Sequence, residues 1–420
     1  MLWSKASVAV ALSLVASTTL AQTPAPVARV TFKDAIDRAI EKNPSMTAAA
    51  AGILRAEGLI RQARAGTLLQ ISGNVTTTTL NRGIEFQGAT ATPQNQVNAS
   101  LTADMPILAA AAWARRVQAQ DVKTTAELTV ADVRRQIAFA AADAYLTIIV
   151  EHRVVEANRL ARDVAKAHFD LATELEQRGT GSRLNALRAR QQVSIDDGLV
   201  EASQLALYRA REALGVLIAA DGPADAVEEP DFATPADIPS LLTTRTDLKL
   251  FGAEQRAAER IVRDSPKDFW PTVDASFQPS TTYPAPLFSL GNSWRILLQA
   301  NVPIFDSGQR ASLRVQRTAA VDQARATLAG AVSQASSQVR AAREAVASGE
   351  RSLASARASA DQAHQVVSIS NISYRAGAGT NIEVIDAERT ARDADTAVAG
   401  AEDVLRRARL ELLNALGRFP

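Results

Sequence analysis

Asn98-Ala99-Ser100-Leu101-Thr102-Ala103-Asp104-Met105-Pro106-Ile107 and Gln299-Ala300-Asn301-Val302-Pro303-Ile304 are two versions of one pattern. Each ends a strand-like alternation at a Pro-hydrophobic pair. Each then leads into a very long helical pattern rich in Ala, Arg and Gln. Upstream, Arg55-Ala56-Glu57 to Gly73-Asn74-Val75 parallels Ala257-Ala258-Glu259 to Ala275-Ser276-Phe277. Downstream, Gln177-Arg178-Gly179-Thr180-Gly181 to Leu187 parallels Arg375-Ala376-Gly377-Ala378-Gly379 to Ile385. A unit this large is not a short solenoid repeat. It reads as half of a protein used twice: short helix, strand, loop, strand, long helix, tight turn, return helix.

The strands rest on a period of two. Leu69, Ile71, Gly73 and Val75 alternate with Gln70, Ser72, Asn74 and Thr76. Val97, Ala99, Leu101, Ala103 and Met105 alternate with Asn98, Ser100, Thr102 and Asp104. In the second half, Val273, Ala275 and Phe277 alternate with Asp274, Ser276 and Gln278. Trp294, Ile296, Leu298, Ala300 and Val302 alternate with Arg295, Leu297, Gln299 and Asn301. The pattern predicts strands at about 67–80, 97–106, 271–279 and 293–304, apolar on one face and mostly polar on the other. Their length suits a membrane barrel, although a half-buried soluble sheet shows the same alternation. Asn81–Gln96 and Pro279–Asn292, with their Gly, Pro, Asn and Thr, read as exposed connections.

After each second strand the period becomes three and four. Val130, Val133, Ile137, Ala140, Ala144 and Ile148 follow it, as do Val332, Ala335, Val339, Ala342, Val346 and Leu353. This is coiled-coil spacing with mixed charge on the other faces. Helices from about Ala109 to Gln177 and Gln309 to Tyr374 follow. At a rise of roughly 1.5 Å per residue each is about 100 Å long, beyond any ordinary globular domain. Tip turns at 178–183 and 375–381, with Gly179, Gly181, Gly377 and Gly379, end them. Return helices run from about Leu184 to Ala219 and Ile382 to Leu416. Near the start, Thr31 is a plausible cap for a helix over Phe32 to Glu41, and Asn43-Pro44 breaks it and starts another that runs to about Arg64. The halves are bounded as 22–220 and 244–420, joined by a Pro- and Asp-containing connector, 221–243.

Residues 1–21 read as a secretory signal: Lys5, an apolar core from Val8 to Val15, and Thr19-Leu20-Ala21 before a mature start at Gln22. The chain has no cysteine, which excludes disulfides, thiolate metal sites and a lipid-modified cysteine. Lys and Arg number 46 and Asp and Glu 45, so losing Lys5 leaves a formally neutral chain with no basic field for nucleic acid. Aromatic residues make up only 5%, low for an enzyme core, while alanine-faced helices can pack closely. No 18-residue apolar run predicts a membrane-spanning helix, but a β-barrel gives no such signal.

Four strands cannot close a barrel; small membrane barrels begin at about eight. An open sheet edge cannot sit in lipid, where each unpaired backbone group costs several kcal/mol. If these strands enter a membrane, several protomers must share one barrel, continued by the long helices as a tube. Such an object is a conduit. At this point the chain resembles the TolC-like outer membrane channel proteins of Gram-negative bacteria. The resemblance covers nearly the whole mature chain. It is carried by Asn43-Pro44, by Val302-Pro303-Ile304-Phe305-Asp306-Ser307-Gly308-Gln309-Arg310, by Tyr374-Arg375-Ala376-Gly377, by Glu383-Val384-Ile385-Asp386-Ala387, and by Leu416-Gly417. It implies an α+β membrane protein: a homotrimer with a 12-stranded β-barrel, four strands per protomer, continued by an α-helical coiled-coil tunnel in the periplasm. It implies an exit duct in the outer membrane lipid, docked to a periplasmic adaptor protein and an inner-membrane transporter. The cargo would be small molecules or, in type I secretion, polypeptides.

The resemblance also implies roles at the tip. Glu383 and Asp386 would lie at the periplasmic entrance; three apart on a helix, they share a face. Threefold symmetry would make them a ring suited to cation selectivity. The first half has Asn185 and Arg188 at the matching places. Arg183 is a candidate for holding the tip closed by pairing with a neighbour; the family's best-known member has an arginine in the second-half turn, where this chain has Gly379, and that departure counts against a shared closing latch. Tyr374 is either a hydrogen-bonding group across the tip or a core tyrosine. Gly179, Gly181, Gly377 and Gly379 shape the turns expected to meet the adaptor. Trp270 and Trp294 lie near strand ends and suit a membrane interface, and Trp113 suits the junction of barrel and tube.

No phosphate-binding glycine loop, catalytic triad or metal cluster is visible; Ala376–Thr380 lacks the Lys and Ser/Thr of a phosphate loop. Neither an enzyme nor a cofactor or metal site is expected. The alternative is a periplasmic coiled-coil adaptor without a membrane barrel. Two hairpins, each preceded by a pair of long strands, argue against it.

Overall fold

In the computed structural model, which describes residues 27–233, 235 and 240–419, the chain passes from helix to strand and back twice. The signal expected at 1–21 and the mature start at Gln22 lie outside the described residues, as does part of the connector. β1 (Ala28–Val30) precedes α1 (Phe32–Lys42), where the Thr31 hydroxyl accepts from the Asp34 amide at 3.2 Å. Asn43 ends that helix and caps α2 (Pro44–Ala65), its side chain accepting from the Ser45 amide at 2.9 Å. Proline is tolerated at the first helical position because that N–H has no helical partner.

The first strand run gives β2 (Gln70–Thr79), β3 (Ile84–Phe86), β4 (Ala89–Thr92) and β5 (Asn95–Leu108). β3 and β4 correct the reading of 81–96 as plain loop: they pair through Gln87 and Gly88, both at positive φ, the backbone of a tight hairpin turn. The hairpin α3 (Ala110–Gln177) and α4 (Arg183–Leu217) follows. Then come β6 (Ala224–Ala226), α5 (Leu241–Thr244) and α6 (Thr246–Asp264). After a 3-10 turn at Ser265–Phe269 come β7 (Thr272–Tyr283), β8 (Asn292–Asn301), α7 (Gln309–Arg375) and α8 (Asn381–Ala415).

The long strands form one antiparallel sheet in the order β2-β5-β7-β8. Register carries the alternation across all four strands. Ile71 pairs with Ala103, Ala103 with Phe277 and Phe277 with Ile296; Met105 pairs with Ala275 and Ala275 with Leu298. One face is therefore continuously apolar, yet Ile71, Met105, Ile296 and Leu298 are all at least half exposed within the chain. The other face carries hydrogen-bonded polar pairs: Ser276 donates to Asp104 at 2.5 Å and Arg295 to Gln278 at 2.7 Å. β2 and β8 are edges, and every residue of both is exposed.

Three strand ends differ from the sequence reading by three residues or more, the first being β2, which starts at Gln70 rather than about 67. β7 runs on to Tyr283 rather than stopping at 279, and β8 stops at Asn301 rather than 304. Pro303 has no N–H to give an edge strand. Its counterpart Pro106 stays within β5, where a register shift between Pro106 and Leu108 absorbs it. Beyond β8, the Asp306 carboxylate accepts from the amides of Gly308 and Arg310 and from the Arg310 guanidinium. That fixes the strand exit and starts α7.

The main core sits midway along the helices. Tyr145, Leu146 and Ile148 of α3 pack with Leu214 of α4, Ile218, Val30 and Phe232. Ala140, placed with Ile137 by spacing, is exposed; Ala138, Ala141 and Ala142 carry the buried face instead. The Tyr145 hydroxyl accepts from the Val227 and Glu228 amides, both at 3.1 Å, beside the parallel pair β1–β6. A second core joins Val339, Ala342 and Val346 of α7 to Leu405, Ala408 and Leu412 of α8. Nearer the tip, Ala172 of α3 meets Ala186 and Ala189 of α4. No described helix is long and apolar enough to cross a membrane.

Candidate functional site

The two tip turns share one construction. Gly179 and Gly377 have φ of +77° and +74°, the left-handed region that favours glycine. Gly181 and Gly379 serve a different purpose, close approach. A Cβ on Gly181 would lie 2.8 Å from the Leu175 carbonyl carbon, and one on Gly379 3.0 Å from the Ser373 Cβ. The return helices then start on hydroxyl caps. Ser182 accepts from the Leu184 amide, and Thr380 from the Glu383 amide.

That second cap occupies one of the entrance carboxylates. Glu383 accepts from the Thr380 amide at 3.0 Å, completing a reciprocal capping box. Asp386 is exposed and accepts from Arg389 at 2.8 Å. Both acids remain on the exposed surface of α8. Arg183 is exposed, with no ion pair to another described residue.

Tyr374 is buried, and its hydroxyl meets the Asn185 side chain on α4. Its ring lies 5.4 Å from that of His168 on α3. The His168 Nε2 is 2.7 Å from the Asn381 Oδ1 on α8, and the Asn381 amide donates to the Asn185 carbonyl at 3.4 Å. Four helices thus meet through His168, Asn185, Tyr374 and Asn381. Burial holds His168 below the usual imidazole range, so it sits neutral. In the structure His152 meets Asp225 at 2.7 Å and His364 meets Asp395 at 2.8 Å. Among the described residues, no cluster of three or more His, Asp or Glu could hold a metal ion.

Further along the helices is a group that sequence reasoning missed. Asp196 on α4 pairs with Arg392 on α8 at 2.7 Å and accepts from Gln192 at 3.0 Å, with both ion-pair side chains nearly buried. Beside it Glu388 is only 9% exposed, and neither carboxylate oxygen has a hydrogen-bond partner. Burial, and then the nearby Asp196 charge, push Glu388 up to about 7. It lines a cavity of about 140 Å³ with Leu160, Val164 and Val367. The signal was present: Glu388 lies on the stripe of Val384, Ala387 and Ala391, all buried.

At the far end, Trp294 and Trp270 are exposed, Trp294 within β8 and Trp270 just before β7. Trp113, in the first turn of α3, is also exposed.

The model of the outer membrane efflux protein family matches residues 35–220 and 238–418. Among solved structures, the outer membrane protein VceC of Vibrio cholerae is similar at 20% identity and a TM-score of 0.78, over 92% of this chain and 96% of that one. The CmeC outer membrane channel of Campylobacter jejuni is similar at 16% identity and 0.80, over 92% and 86%. The open state of the MtrE outer membrane channel of Neisseria gonorrhoeae is similar at 17% and 0.69, over 92% and 88%. At these identities the likeness is one of fold. No curated protein matches the sequence.

Proposed function

The chain belongs to the outer membrane efflux protein family, channels of the outer membrane, and from that premise we propose that three copies make one exit duct. The observation that carries this is the sheet. Its two edges are open, and one apolar face runs across all four strands without covering among the described residues. Three such sheets, joined β2 to β8, give a 12-stranded barrel: edges vanish and the apolar face meets lipid. The alternating long-strand pairs and hairpins support an internally duplicated chain, with halves 22–220 and 244–420 around the connector. The hairpins, about 100 Å long, continue the barrel as a periplasmic tunnel. The duct receives small molecules or polypeptides from an adaptor and an inner-membrane transporter, and does no catalysis itself. The adaptor meets the tip turns at Gly179, Gly181, Gly377 and Gly379.

At the entrance, Glu383 and Asp386 from three copies form an acidic ring, moderated by Arg389. Arg183, with no ion pair among the described residues, reaches a neighbouring copy, and Tyr374 ties the two hairpins of one copy together.

The test is planar-bilayer recording of the mature protein in detergent, with oligomer mass measured on the same sample. Trimers with discrete cation-selective openings are expected. Glu383→Gln/Asp386→Asn should weaken selectivity; Gln can still cap the helix, so any loss reports charge. A water-soluble monomer without conductance would return the adaptor reading.

A further inference from the structure

We propose that the cavity between α3, α4, α7 and α8 binds a small organic monocation with a compact apolar body, its charge received by Glu388. The argument is one of accounting for charge. From α4, Asp196 is held by Arg392 and Gln192. From α7, His364 is held by Asp395 of α8. Arg389 is held by Asp386, and Arg392 bonds Asp393 as well as Asp196. From α3, the wall is apolar: Leu160, Ala161 and Val164. Among the described residues, Glu388 alone of this wall has no answer: both its oxygens are buried and unpartnered, and the carboxylate turns toward the cavity to take the ligand's charge.

With Glu388 ionised, the three carboxylates of the lining, Asp196, Glu388 and Asp395, outnumber its two guanidiniums, Arg389 and Arg392, by one. That favours a monocation over a divalent metal ion, which needs several free oxygen ligands, and Asp196 is committed to Arg392. Size sets the body of the ligand: the cavity is about 140 Å³, close to the roughly 150 Å³ that accepts a benzene ring. The walls of Leu160, Val164 and Val367 suit that body. A buried carboxylate without a partner is costly. A proton removes the cost when the cavity is empty, and a cation removes it when filled. Because Glu388 holds its proton up to about pH 7, binding below that pH releases the proton.

The experiment is titration calorimetry on the purified full mature chain in detergent, with benzamidinium, which stays charged over the range used. At pH 8 saturable binding, one per protomer, is expected. Below pH 7 affinity should fall by about tenfold per pH unit as the proton competes. Glu388→Gln should weaken binding by at least about tenfold, and Val367→Trp, which fills the cavity and keeps the acid, should abolish it. If those variants fail to assemble, the wild-type protein still decides. At pH 6, titrations in two buffers of different ionisation enthalpy should report about one proton released per cation. No saturable binding at pH 8, or binding without pH dependence and proton release, overturns the site. Binding is read without membrane, pump or current, so it fails or succeeds separately from the channel.

Discussion

Replacing Glu388 with Gln removes a charge that the fold does not accommodate, and the size of the effect follows from the site. The ordinary value for this carboxyl is 4.5, and burial plus Asp196 raise it to about 7 in the folded chain. At roughly 1.4 kcal/mol per unit, the difference amounts to about 3 kcal/mol per protomer. The sign is that of a raised acid. Between the two values the folded chain holds a proton that the unfolded chain has lost, so stability is full below about 4.5. It declines as pH rises toward 7, then stays level. Wild type should therefore lose about 3 kcal/mol relative to Glu388→Gln between pH 4.5 and pH 8. Denaturant midpoints of helical circular dichroism, taken for both proteins across that range, measure the difference. Infrared spectroscopy gives a direct check: a protonated-carboxyl stretch should persist at pH 6, disappear above pH 7, and be absent from the variant. Parallel stability curves, or a carboxyl band already gone at pH 5, would refute the account of Glu388 as an uncompensated buried acid.

The glycines of the second tip turn should respond differently to alanine. Gly377→Ala places a side chain in open space at φ +74° and should cost about 1–2 kcal/mol. Gly379→Ala puts a Cβ 3.0–3.2 Å from Ser373 and the Tyr374 amide, so the turn must open; limited proteolysis should cut it faster than Gly377→Ala, and equal rates would contradict the geometry. Asn381→Ala leaves the His168 ring with no side-chain partner and should cost about 1–3 kcal/mol. Hydrogen exchange should report it as lost protection in both tip turns at once, whereas protection lost only in the α8 turn would argue that the two hairpins are not joined there.

How much of this was legible in the sequence depends on how each feature is encoded. α3 was read from 109 and is observed from Ala110, and both long hairpins turn where glycine punctuates a helical period. The apolar sheet face was legible because alternation survives register: Ala103, Phe277 and Ile296 fall in line across three strands. β1 and β6, three residues each, are too short to show any period, and only Tyr145 binding the adjoining Val227 and Glu228 amides reveals why they stay. Glu383 was read only as a member of an entrance ring; its capping contact depends on a turn that brings the Thr380 amide to it. Glu388 lay on an apolar stripe, but its isolation depends on what α4 presents opposite, which one helix cannot encode.

The distribution of polar and apolar contacts also says where the tip can part. Within each hairpin the seam has an apolar spine, Ala172 against Ala186 and Ala189 and Val346 with Leu405 and Ala408, with polar pairs such as His364 to Asp395 beside it. Between hairpins, near the tip, the links are polar: His168 to Asn381, Asn185 to Tyr374 and Asn381, Asp196 to Arg392. Water can replace a hydrogen bond as two surfaces separate, at a net cost near 1 kcal/mol, but it cannot replace a buried apolar contact. Opening should therefore separate one hairpin from the other and leave each coiled coil intact. The chain has no cysteine, so introduced thiols are unambiguous. Asn185→Cys/Asn381→Cys, bridged by a short bifunctional thiol reagent, ties the hairpins and should suppress the large conductance state. Ala172→Cys/Ala189→Cys, bridged within one hairpin, should leave it intact. Suppression by the second bridge and not the first would mean that the helices of a hairpin unzip, against the order of contact strengths seen here.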